Sequence, residues 1–135
     1  QWSLWGNLAL NRARYEGYNL GNGSSLSGNR PPNAPRLVAN AGVGYRFMAG
    51  VPMHVSASVR HVGDRFHSDA NTVRLNGYTV FDAALAVDVA RDVQITLRGR
   101  NLGNRTYAAW ADPFYPDQIL LGAPRSYELA LRWTL

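Results

Sequence analysis

The feature that most limits how this chain can fold is its two-residue period. Its last nine residues, YELALRWTL (Tyr127–Leu135), alternate almost without fault. In an extended segment Tyr127, Leu129, Leu131, Trp133 and Leu135 point one way, and Glu128, Ala130, Arg132 and Thr134 the other. The same period recurs along the chain, while helical spacing is hard to find. It predicts six strands: Trp2–Tyr15, Arg36–Phe47, Met53–Val62, Tyr78–Ala90, Val93–Leu102 and Tyr127–Leu135. In the second, Leu37, Ala39, Ala41, Val43, Tyr45 and Phe47 share a face opposite Arg36, Val38, Asn40, Gly42, Gly44 and Arg46. No segment approaches the ~20 consecutive apolar residues of a membrane-spanning helix.

Connections between these strands run long, short, long, short, long. All the long loops therefore fall at one end of the sheet and the short turns at the other. From the second strand to the sixth, one face carries no charged residue. The opposite face collects Arg36, Arg46, Arg60, Arg98, Arg100, Arg132, Asp82, Asp88 and Glu128. Segments of ~10 alternating residues, apolar outside and polar inside, with loops of unequal length at the two ends, describe a transmembrane β-barrel. The aromatics agree: Trp2, Tyr45, Phe47 and Trp133 fall where a girdle of rings meets the headgroups. The fold class is thus all-β, an antiparallel up-and-down transmembrane barrel without a helix of note. A soluble sandwich or lipocalin-like barrel, whose strands also alternate, is the competing architecture. The formal charge of +5 is carried by arginine, and the absence of cysteine excludes disulfides and thiolate metal sites.

Four stretches carry a resemblance to a known family. GNRPPNAPRL, before the second strand, is similar to the G-x-R-x-P-x-x-P-R segment of TonB-dependent outer-membrane receptors. DANTVRLNGYTVFDAALAV resembles a loop and strand later in the same barrels. RGRNLGNRTY resembles their N-L-F-[DN]-[KR]-x-Y segment, with Asn101, Leu102, Asn104, Arg105 and Tyr107 in place and Gly103 where Phe is usual. YELALRWTL resembles their closing strand, with Leu135 where an aromatic is typical. The resemblance covers essentially all of residues 1–135 and implies the C-terminal segment, about the last six strands, of a ~22-stranded barrel. The plug domain, the TonB box and the earlier strands would lie upstream. Consistent with that expectation, Gln1 is followed at once by an alternating segment, with no signal peptide, as though the chain begins mid-structure.

The resemblance further implies a Gram-negative outer-membrane receptor that is not an enzyme. Its ligand would be a scarce chelate, a ferric siderophore before haem, cobalamin or others, carried as cargo and not as a cofactor. Expected partners are the TonB–ExbB–ExbD complex, reached through the upstream part, the receptor's own plug, and outer-membrane lipid and lipopolysaccharide. The barrel-assembly machinery would read Tyr127–Leu135. Short turns would face the periplasm. The long segments, roughly Glu16–Pro35, Gly63–Asn76 and Gly103–Pro124, would face outward and expose Ser25, Asn71 and Asp117. The alternative is a small non-transporting outer-membrane barrel or adhesin.

For ligand contacts, the candidates are lumen arginines Arg60, Arg98 and Arg100 and the loop aromatics Trp110, Phe114 and Tyr115. The inward arginines read first as structural partners of Asp82, Asp88 and Glu128 and of plug carboxylates. They also form a cationic lining suited to anionic cargo. Gly42 and Gly44 would admit the plug or a strong twist. His54, His61 and His67 lack metal-ligand spacing, although His61 and His67 with Asp64 and Asp69 offer a weak external metal or ligand site. No nucleophile–base pair is discernible, and no compact basic face suggests nucleic acid.

Overall fold

The computed structural model describes residues 1–115 and 118–134. Six strands form one antiparallel sheet: β1 (Trp2–Leu10), β2 (Leu37–Ala49), β3 (Val51–Val62), β6 (Tyr78–Ala90), β7 (Val93–Arg100) and β10 (Ser126–Trp133). They pair as an up-and-down meander in the order β1-β2-β3-β6-β7-β10, and the sheet is open. Two small ribbons stand in the long connections, β4 (Arg65–Phe66) with β5 (Arg74–Leu75), and β8 (Ala108–Ala111) with β9 (Ile119–Leu121).

The six expected strands are all present; the fourth keeps its expected bounds, Tyr78–Ala90, and the others have shifted ends. The first stops at Leu10 and not at Tyr15. Asn11 turns the chain there: its side-chain oxygen accepts from the Ala13 amide at 2.9 Å, an Asx-turn that competes with the ladder. The second and third run closer to their shared turn than expected, so the MAGVP connection shrinks to Gly50 between them. The fifth ends at Arg100 because Asn101 turns left-handed (φ 47°) and gives its amide to the Asp82 carboxylate and not to the neighbouring strand. The ribbons were not expected. Each is too short to show a period.

Register settles which residues share a face. Val43, Ala57, Ala83, Gly99 and Tyr127 fall in one cross-strand row, and Val55, Leu85, Leu97 and Leu129 in another. These rows form the apolar face, and its large side chains are bare: Leu4 is 81% exposed, Leu129 74% and Leu131 72%. The whole chain exposes 9474 Å², against about 7,000 Å² for a globular protein of this mass. The outward residues of β3 between Val51 and Val59 span ~26 Å along the strand, or about 20 Å along a membrane normal at ~40° tilt, near the ~25 Å band of outer-membrane barrels. At the short-turn end Trp2 and Tyr45 meet at 4.5 Å and Tyr45 stacks on Phe47 at 5.6 Å. At the other end His61 bonds Thr79 at 2.9 Å, the first polar pair on this face.

On the polar face, Gly42 and Gly44 have a local reason. The Trp5 indole lies directly over Gly42, where any Cβ would collide with it. Ser3 Oγ and His54 Nε2 stand 2.6 and 2.8 Å from where a Gly44 Cβ would be. At these glycines the room a Cβ would need is taken by side chains of the sheet itself.

Candidate functional site

Two polar regions follow from this layout: the concave sheet face, and a core formed by the long loops. On the sheet, Arg98 and Glu128 are direct cross-strand partners. Glu128 accepts from both Arg98 Nη1 and Arg100 Nη2, each at 3.1 Å. One carboxylate therefore bridges two guanidinium groups. These arginines border a hollow of about 230 Å³ with Trp5, Ser56, Ser58 and Asp82. Arg60 lies two positions nearer the loops than Ser58, exposed, with its guanidinium 6.0 Å from the Tyr78 ring.

The expected carboxylate partners divide. Glu128 does pair with arginine. Asp82 instead accepts the Asn101 amide at 2.8 Å, and Asp88 accepts from Gln94 at 2.8 Å. Among the described residues, neither is in an ion pair with arginine. The loop aromatics occupy a different place. Trp110 lies on β8 opposite Leu120, and Phe114 and Tyr115 follow at the exposed end of the β8–β9 ribbon, their amides donating to Asp112 at 2.9 and 3.2 Å. No ring–ring contact joins these three among the described residues. Asp117 and Leu135, expected at the surface and on the apolar face respectively, lie outside the described residues.

The loop core was not foreseen. Its members are the buried non-glycine residues among those described: Leu75, Tyr78, Val80, Ala111, Arg30, Arg65, His67 and Asn101. Two asparagines with left-handed backbone, Asn33 (φ 55°) and Asn71 (φ 55°), sew the loops together. The Asn33 side chain donates to the Ala111 carbonyl at 2.7 Å and accepts its amide at 3.0 Å. Asn71 makes the same two-way pairing with the Arg30 backbone, both bonds at 2.8 Å. Arg65 donates to the Ala108 carbonyl and sits 5.7 Å from the Tyr78 ring, which stacks on Tyr107 at 3.9 Å.

Asn101 (φ 47°) ties the base of the third loop. Its side chain bonds both ways with the Arg105 backbone and donates to the Ala123 carbonyl. This accounts for the RGRNLGNRTY pattern: Asn101 forms the knot, Asn104 accepts the Arg125 amide at 3.1 Å, and Tyr107 supplies the stacked ring.

The weak external site does not assemble. Asp64 is bonded to Arg30 at 2.9 Å and Arg74 at 3.2 Å, Asp69 accepts the Tyr15 hydroxyl at 2.5 Å, and His61 is bonded to Thr79. The Arg30 hydrogen bond, with the charges of Arg74 and Arg30, holds the Asp64 carboxyl below its usual 3.8. Its bond to Asp69, with burial and that carboxylate's charge, pushes the Tyr15 hydroxyl up to about 12. The signal available in sequence for this core was the asparagine and glycine density of the loops. Which asparagine meets which backbone depends on contacts tens of residues apart.

Comparison with known proteins agrees with this architecture. Residues 1–102 match the family model described as TonB dependent receptor-like, beta-barrel. The ferrioxamine receptor of Yersinia enterocolitica is 30% identical over 113 residues, which cover 79% of this chain and 15% of that protein. The siderophore receptor PiuA from Acinetobacter baumannii superposes with a TM-score of 0.83 at 21% identity, over 98% of this chain and 19% of that one. The ferric yersiniabactin uptake receptor FyuA from Yersinia pestis gives 0.83 at 22% identity, over 98% and 21%. At these identities the structural likeness establishes the fold. The chain thus spans roughly a fifth or less of the length of these relatives.

Proposed function

Since the chain belongs to the TonB-dependent receptor-like β-barrel family, we propose that it forms part of an outer-membrane receptor for energised uptake of a ferric siderophore. The observation that carries this reading is the division of one sheet into a bare apolar face and an arginine-bearing concave face, with every long loop gathered at one end. The relatives' names point to ferric siderophores. A concave face whose arginines exceed their carboxylate partners suits an anionic chelate.

In this reading residues 1–135 are the last six strands of a ~22-stranded barrel whose lumen holds an upstream plug. The apolar face meets lipid, the loop core faces outward, and the short turns face the periplasm. Arg60, Arg98 and Arg100 line the path, and Trp110, Phe114 and Tyr115 meet ligand at the mouth. Energy arrives through TonB, ExbB and ExbD, because the outer membrane holds no usable gradient of its own.

The test is growth of a strain lacking the full-length gene on single ferric chelates as sole iron source. Loss of growth on one siderophore, restored by the gene but not in a strain without TonB, is the expected result. Normal growth and normal uptake of every chelate, haem and cobalamin would refute it.

A further inference from the structure

The β8–β9 ribbon carries Trp110 and leads to Phe114 and Tyr115, yet it is short. It makes three cross-strand pairs, with a register shift between Ala108 and Trp110, and a two-stranded ribbon of that length is marginal by itself. Its fixed points come from other loops. Ala111 is fully buried, and both its backbone polar groups bond the Asn33 side chain of the first long connection, at 3.0 and 2.7 Å. At the other end of β8, Arg65 of the second connection donates to the Ala108 carbonyl. The two anchors bracket Trp110. Asn33 is itself held, because its amide donates to the Phe66 carbonyl at 2.8 Å. One residue beyond the Asn33 anchor, Asp112 accepts the Phe114 and Tyr115 amides and gives its own amide to the Gln118 carbonyl at 2.9 Å. The aromatic tip is thus a compact turn hung from Ala111.

We propose that Asn33 and Arg65 are positioning residues for ligand capture: from two neighbouring connections they fix β8, so that Trp110, Phe114 and Tyr115 stand preformed at the mouth. What the rings meet there rests on the receptor reading above; the anchoring of the ribbon does not. Asparagine suits the task because one side chain supplies both the donor and the acceptor that a backbone partner needs. It also tolerates the left-handed φ of 55° at which Asn33 stands. Arg65, 2% exposed, makes its bond inside the loop core, where water does not compete for the carbonyl. Without these bonds the ribbon would hold the presenting arrangement only part of the time, and apparent affinity would fall with that fraction.

Asn33→Gly removes both bonds and leaves the left-handed backbone free of strain. Full-length receptor in detergent, in a cysteine-free background, carries spin labels at the exposed Ala109 of β8 and Asp92 of a short turn. With no ligand present, pulsed dipolar spectroscopy should give a narrow distance distribution in the parent and a broad one in Asn33→Gly. Affinity for the ferric chelate that supports growth in the test above should fall roughly tenfold or more, the scale of two lost hydrogen bonds. A double-mutant cycle separates positioning from a general loss of stability. In a receptor already carrying Phe114→Ala and Tyr115→Ala, adding Asn33→Gly should cost only a fraction of that loss. Arg65→Met cuts the other anchor and should give the same pattern, which decides the matter if Asn33→Gly does not assemble. An unchanged distance distribution, or an equal loss of affinity in both backgrounds, overturns the proposal. If no chelate supports growth while the distribution still broadens, the transport reading falls and the anchoring of the ribbon stands. Narrow distributions in both variants with normal uptake sink this proposal and spare that reading.

Discussion

Leu85→Arg tests the assignment of the two faces at its most demanding point. Leu85 lies in an apolar row between Val55 and Leu97, six residues from Thr79 and five from Ala90 along β6. At ~3.3 Å per residue and ~40° tilt, it is about 15 Å from Thr79 and about 13 Å from Ala90 along the membrane normal, near mid-band. An arginine there cannot snorkel its charge to the headgroups. The expected penalty on folding into lipid is ~2–4 kcal/mol. Ala86→Arg is the control, because Ala86 lies one residue on, faces the concave side, and shares a hollow with His54, Asp88 and Gln94. It should cost a fraction of that. Guanidinium titrations of full-length receptor in phosphatidylcholine vesicles measure both. Equal penalties, or a larger one for Ala86→Arg, would refute the inside–outside assignment.

Three further outcomes follow from the loop core. Asn33→Ala removes both bonds to Ala111, whose residue is fully buried, and should cost ~1–3 kcal/mol locally; amide exchange at Ala111 should rise accordingly, and an unchanged rate would show that the stitch is idle. The Tyr15 hydroxyl is raised in the folded chain, so its bond to Asp69 contributes below pH 10 and is lost as pH climbs towards about 12. Asp64 is depressed, so its pairing with Arg30 and Arg74 contributes above 3.8 and is lost only as pH falls through its lowered value. Protease sensitivity of the loops should show both steps, the alkaline one missing in Tyr15→Phe and the acid one in Asp64→Asn. Cysteines at Ser24 and Thr72 should react with an impermeant maleimide on intact cells, and cysteines at Ala49 and Asp92 should not; the reverse pattern would invert the topology.

How far the sequence could be read depended on the range of the forces involved. The sheet was legible because a two-residue period is local: Leu129 and Leu131 declare their face without reference to any partner. The Arg98–Glu128–Arg100 trio was legible in kind, since the face was known, but the competing roles of Asp82 and Asp88 were not. Asp82 is drawn to the Asn101 amide by a left-handed turn that no period announces. Trp5 shows the same limit, because it belongs to the polar face and was read only as part of an alternating run. Its place became intelligible once Gly42 was seen beneath it. The loops were the least legible, and the reason is physical: Asn33 finds Ala111 across 78 residues and Tyr15 finds Asp69 across 54. The quoted motifs nevertheless fall mainly on this region. Arg30 and Asn33 of GNRPPNAPRL and Asn101, Asn104 and Tyr107 of RGRNLGNRTY are spent on loop contacts. Lipid asks of a strand only that its outward residues be apolar, a demand many sequences meet. Holding three loops together over a sheet with no core of its own requires particular donors and acceptors at particular places.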